Sequence, residues 1–106
     1  MSASLGEALD GLADVIAERA EKGAAGSSYT VSLLDSGVAR CAKKFGEEAV
    51  EAALAAVTGE NLAGEAADTL YHLLVMMQAA GVTPAAVAAE LDKRRGKSGL
   101  EEKASR

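Results

Sequence analysis

Tryptophan is missing from this chain, and proline, cysteine and phenylalanine occur once each among its 106 residues. Each shortage closes off a class of structure. A lone cysteine, Cys41, forms neither a disulfide framework nor a thiolate metal site within one chain. With a single proline, little interrupts a helix. Aromatic residues make up 3 % of the chain, so no core of large rings is available. No apolar run approaches the ~20 residues that cross a membrane, and no leader pattern opens the chain. A soluble cytoplasmic protein without a membrane partner is the expectation. Positive charge is missing from one region in particular. Between Phe45 and Asp92 there is no lysine or arginine, yet Glu47, Glu48, Glu51, Glu60, Glu65, Asp68, Glu90 and Asp92 lie there. With a net charge of −5, nucleic acid is not the expected partner.

What is abundant is alanine, at 24 positions. Alanine is the best helix former, so the predicted fold is all-α. Its small side chain also makes a thin core, which a homodimer or higher homo-oligomer would complete. Leu5, Leu9, Leu12, Val15 and Ile16 recur at helical spacing and predict a first helix ending near Gly23, with packing as their only role. The Gly/Ser-rich stretch at 24–28 is a linker. A short helix follows, capped by Ser27 or Ser28 and ended by Gly37. A long acidic helix spans about 38–57, closed by "TGEN", and Asn61 caps the next, which runs to about residue 80 before Gly81. Thr83 caps the last helix, with Pro84 at its first position, where proline is tolerated. The reading is one all-α domain over 1–96, a bundle of four to five helices, with a basic, mobile tail at 97–106. From Lys93 onward six basic residues face two acidic ones, either an end that reaches an anion or simply solvated surface.

The acidic centre carries the chemistry. In "KKFGEEAVEAALAAV", Glu48 and Glu51 are three apart, so they share one side of a helix whose other residues are largely apolar. "GEAADTLYHLLVMM" repeats the arrangement with Glu65 and Asp68, and a short turn joins the two helices. Folding the hairpin brings four carboxylates together. Such a cluster is costly in a partly buried place unless a cation meets it, some carboxyls stay protonated, or Lys43, Lys44 or the tail pairs with it. Carboxylate oxygens suit Mg²⁺ or Mn²⁺, which also take phosphate oxygens from a substrate.

These stretches, with "SYTVSLL", resemble the phosphoribosyl-ATP pyrophosphohydrolase family, part of the all-α nucleotide pyrophosphohydrolase group that includes MazG-like and dimeric dUTPase-like proteins. The resemblance covers about residues 28–95 and is to the stand-alone form, without a cyclohydrolase segment. It implies Mg²⁺-dependent hydrolysis of phosphoribosyl-ATP to phosphoribosyl-AMP and pyrophosphate in histidine biosynthesis. It also implies Glu48, Glu51, Glu65 and Asp68 as metal ligands, with Glu48 or Glu51 orienting or deprotonating the attacking water and Glu47 behind them. The alternatives are a house-cleaning enzyme of the same group acting on dNTPs, and a helical oligomerisation module without catalysis.

Other residues carry two readings each. His72 follows Asp68 by four and either braces that carboxylate, contacts substrate, or serves as a satisfied core histidine. Lys43 and Lys44 hold phosphate or are solvated lysines at a helix start. Ser28, Tyr29 and Thr30 precede the short helix, whose free N–H groups suit an anion, and the family likeness puts this region near the active site. Arg94, Arg95 and Lys97 reach the ribose phosphate or a second subunit, or merely complement a helix end. Met76, Met77 and Phe45 read as core, the methionines also as subunit interface. Cys41 has no histidine near it in sequence and Ser28 lies in a linker, so no covalent nucleophile is expected.

Overall fold

Four of the five helices begin at a side chain that accepts a hydrogen bond from the first turn, and these caps set the layout. A computed structural model describes residues 3–24 and 26–95. Its helices are α1 (Leu5–Lys22), α2 (Tyr29–Asp35), α3 (Val38–Thr58), α4 (Leu62–Ala80) and α5 (Pro84–Arg94), and no strand occurs among the described residues. Ser4 caps α1 through the Glu7 N–H, and Ser28 caps α2 through the Val31 N–H, both at 3.1 Å. Asn61 caps α4 through Gly64, and Thr83 caps α5 through Ala86 with Pro84 behind it. The expected tail, including Lys97, lies outside the described residues.

The turn between α3 and α4 matters most for the site. Gly59 ends α3 in the left-handed region at φ 75°, and Asn61 follows at φ 51°, one of the few non-glycine types that tolerates it. Gly64 leaves room for the Asn61 cap, because a Cβ there would come within 2.5 Å of the asparagine amide. The short connection folds α4 back on α3, and these two helices share the most extensive contact in the molecule.

Helix α4 is the hub, packing also against α1 and α2. Ile16, Leu33, Cys41 and Val75, one from each of the first four helices, form the core cluster, flanked by Leu12, Leu34, Tyr71, Leu74, Met76 and Ala79. Cys41 donates its S–H to the Leu33 carbonyl at 3.2 Å, and burial pushes the thiol pKa up, so it acts as a small core residue. Met77 is buried, while Met76 and Phe45 are half-buried.

One expectation changes. Leu5 and Val15 are 66 % and 46 % exposed, because α1 leans chiefly on α2 and α4 and only a narrow stripe around Ile16 is covered. Helix α5 buries none of its side chains. It borders an apolar groove of about 410 Å³ shared with α1 and α4, lined by residues such as Leu9, Leu70, Leu73, Val87 and Leu91. No single helix among the described residues is long and apolar enough to cross a membrane.

Candidate active site

Glu48 on α3 and Glu65 and Asp68 on α4 each place a carboxylate oxygen within 4.8 Å of the other two. A threonine keeps the two helices at this spacing. The Thr69 hydroxyl lies 2.8 Å from the Glu65 carbonyl, one turn back on its own helix, and 3.0 Å from the Glu48 carbonyl across the hairpin. One O–H is thus directed at the backbone of two of the three acidic residues. Glu51, exposed and one turn along α3, stands beside this trio and bears on Glu48.

Burial first, then neighbouring Glu51 and the charge of Asp68, push the Glu48 carboxyl above the ordinary carboxylate range, with Lys44 opposing. The Glu65 Oε2 is buried and has no hydrogen-bond partner. A buried carboxylate oxygen left unmet, facing two more acids, is the donor set of a hard divalent cation. Three carboxylate oxygens within 4.8 Å of one another are close enough to reach a single hard cation. The residues fit the ion.

Lys44 is half-buried and its ammonium stands 3.9 Å from Glu47, which keeps Glu47 at the edge of the cluster. Lys43 is exposed on the same turn. His72 is buried, and its Nδ1 has no hydrogen-bond partner. Burial and then the nearby Lys44 push the imidazole pKa down, against the weaker pull of Asp68 and Glu47, so the ring is held neutral. Its partners are aromatic. Tyr71 meets His72 edge-on with ring centres 5.0 Å apart, and Tyr29 does so at 6.1 Å. The two tyrosines lie within 22° of parallel at 6.4 Å. The Tyr71 hydroxyl is hydrogen-bonded to Thr30 at 2.5 Å, tying α2 to α4.

The hairpin thus gathers Glu48, Glu65 and Asp68, with Glu51 and Lys44 around them and His72 leading on to Tyr29. Ser28 caps α2, a helix of only 7 residues, by accepting from the Val31 N–H. Arg94 and Arg95 close α5, where Arg95 pairs with Asp92 at 3.3 Å and no contact in the described structure joins Arg95 to the acidic group. Tyr71 and Thr69 were not legible as site residues. Their only signals are their positions, beside His72 and four residues after Glu65.

Comparison with known proteins places this geometry in company. Residues 9–95 match the family model described as phosphoribosyl-ATP pyrophosphohydrolase. The chain is 57 % identical to the phosphoribosyl-ATP pyrophosphatase of Parvibaculum lavamentivorans over 101 residues, covering 92 % of this chain and 91 % of that protein. Its identity to the like-named protein of Paracoccus denitrificans is 58 % over 98 residues, covering 90 % and 89 %. For that of Sphingopyxis alaskensis it is 47 % over 108 aligned residues, covering 100 % and 99 %.

Proposed function

The chain belongs to the phosphoribosyl-ATP pyrophosphohydrolase family, and on that premise we propose that it hydrolyses phosphoribosyl-ATP to phosphoribosyl-AMP and pyrophosphate in histidine biosynthesis. The observation that carries the reading is the convergence of Glu48, Glu65 and Asp68 around the unmet Oε2 of Glu65. In this reading Glu48, Glu65 and Asp68 would hold Mg²⁺, or Mn²⁺ in its place, with Glu51 beside them as a further carboxylate. Such an ion polarises phosphate oxygens and lowers the pKa of a bound water.

The chain's own groups account for the rest. Water has to attack a phosphoanhydride and lose a proton. Glu48 or Glu51, side by side on α3 at the carboxylate cluster, orients that water or takes its proton. Lys44, with exposed Lys43 beside it, offers positive charge to the departing pyrophosphate. His72, neutral and packed edge-on against Tyr71, lies one helical turn beyond Asp68. No nucleophilic side chain enters, since Cys41 is buried in the core.

A homo-oligomer, dimeric or larger, in the cytoplasm completes the proposal. It is supported by the apolar side chains left in water, among them Leu54 and Val57 on α3 and Leu91 on α5, 58 %, 85 % and 61 % exposed. The test is to incubate the purified protein with phosphoribosyl-ATP and Mg²⁺, and in parallel with dATP, dCTP and dUTP, and to follow pyrophosphate release. Release from phosphoribosyl-ATP alone, abolished by EDTA, is expected. Release mainly from a dNTP would keep the carboxylate site and replace the substrate, and no release from any of them would overturn the reading.

A further inference from the structure

Tyr29 is out of place as a packing residue. It is 56 % exposed, yet the ring partners it has are the rings of Tyr71 and His72. Those two are held firmly. Tyr71 is half-buried, with its hydroxyl tied to Thr30, and His72 is 5 % exposed against it. The three rings therefore form a supported aromatic surface with one open member. His72 lies one helical turn beyond Asp68, so this surface begins where the carboxylate trio ends. Lys44, on α3 one turn before Glu48, bears electrostatically on both Glu48 and His72, so its positive charge is within reach of both. Cation-binding carboxylates at one end and an exposed ring at the other, with an ammonium that acts on both, suit a nucleotide, its phosphates at the acids and its base at the ring.

We propose that the open face of Tyr29, backed by Tyr71 and His72, is a purine subsite on which the adenine base of the substrate stacks while its phosphates reach the carboxylates. This deepens the reading above and rests on it for the identity of the nucleotide. Stacking suits the place because neutral rings recognise a base by its π-face, and losing such a stack weakens binding roughly 5- to 150-fold. Tyr29 is then a substrate-binding residue whose contribution falls on KM.

The composition supplies the probe. The chain has no tryptophan and 2 tyrosines, and both belong to this surface, so tyrosine emission reports on it alone. The full chain in EDTA is titrated with AMP and, separately, with ribose 5-phosphate, with free N-acetyltyrosinamide correcting for absorption by adenine. AMP is expected to quench emission to saturation and ribose 5-phosphate to leave it unchanged. In turnover of phosphoribosyl-ATP, Tyr29→Ala is expected to raise KM roughly 5- to 150-fold with kcat within about threefold. Tyr29→Phe, which keeps the ring, is expected to retain the wild-type KM. Equal quenching by both ligands, or a Tyr29→Ala enzyme with unchanged KM, overturns the subsite. So does emission that changes with protein concentration but not with AMP, which would mean that a second copy covers the ring. The two proposals fail separately. AMP quenching without phosphoribosyl-ATP hydrolysis would sink the reaction and keep the subsite, whereas full turnover indifferent to Tyr29→Ala would do the reverse.

Discussion

The α3–α4 hairpin and the groove between α1, α4 and α5 are built from the same alanine-rich helical material, yet they are finished in opposite ways. The hairpin leaves polar needs unmet: the Glu65 Oε2 and His72 Nδ1 are buried without partners, and Glu48 is crowded by the charges of Glu51 and Asp68. The groove leaves apolar surface unmet, and the charges on α5 pair locally, Lys93 with Glu90 and Arg95 with Asp92, in exposed bridges that contribute little. Unmet polarity calls for a cation and an anionic substrate. Unmet apolar surface calls for another protein surface. Chemistry is therefore to be sought where the electrostatics are unfavourable in the isolated chain, and assembly where only hydrophobic area is left open.

Substitutions on either side should separate these two roles. The largest effect is expected at the trio. Asp68→Asn or Glu48→Gln should lower kcat/KM by more than about a hundredfold, since loss of mere supporting partners of metal ligands already costs 10- to 100-fold. Circular dichroism should show the helices intact. Leu91→Asp in the groove should instead lower the oligomer mass seen by light scattering and leave Mn²⁺ affinity near wild type. If Leu91→Asp abolished metal binding, the two regions would not be separable.

Next comes the threonine that joins the hairpin. Thr69→Val keeps the shape but removes the hydroxyl aimed at the Glu48 and Glu65 carbonyls. Mn²⁺ affinity measured by calorimetry should fall about tenfold and return with Thr69→Ser. Equal affinity in all three proteins would mean that the helices hold the ligands without it.

The smallest effects concern the metal-free chain. The Glu48 pKa is raised in the fold, so its ionisation destabilises the native state above the folded pKa, and the penalty disappears as pH falls towards the ordinary value of 4.5. Glu51→Gln, which removes one of the repelling charges, should therefore melt a few degrees higher than wild type in EDTA at pH 7. A melt no higher than wild type would argue against clustered charge. His72 has the opposite sign. Its pKa is lowered, so its contribution is fully present above the ordinary value of 6.5 and is lost as pH falls through the folded value. Relative to His72→Gln, wild type should lose stability on acidification below pH 6.5, and parallel pH profiles would show that the imidazole titrates alike in the folded and unfolded chain.

Much of this was legible in the chain because helices announce themselves locally. Ser28, Asn61, Thr83 and Pro84 occupy the predicted cap and first-turn positions, and Gly59 and Gly81 end α3 and α4 in the left-handed region. The spacing of Glu48, Glu51, Glu65 and Asp68 put four acids on one hairpin, but spacing has no rotational offset between helices. Which three converge was therefore not readable, and Glu51 stands beside the trio. The same gap hid Thr69 and Tyr71, whose partners lie 21 and 41 residues away. It also made Leu5 and Val15 look like core, since periodicity marks an apolar stripe without saying how much of it a neighbour covers.

By itself, then, the sequence determined the helices, their ends, the acidic pairs and the absence of any intrachain disulfide, because each depends on residues within a turn or two of one another. Only the tertiary structure decided that Glu48 meets Glu65 and Asp68, that His72 is buried and neutral, and that Tyr29 lies against Tyr71 with a face in solvent. Those facts depend on how α2 and α3 rotate and dock against α4, which is set by the summed packing of Ile16, Leu33, Cys41 and Val75 and by no local pattern.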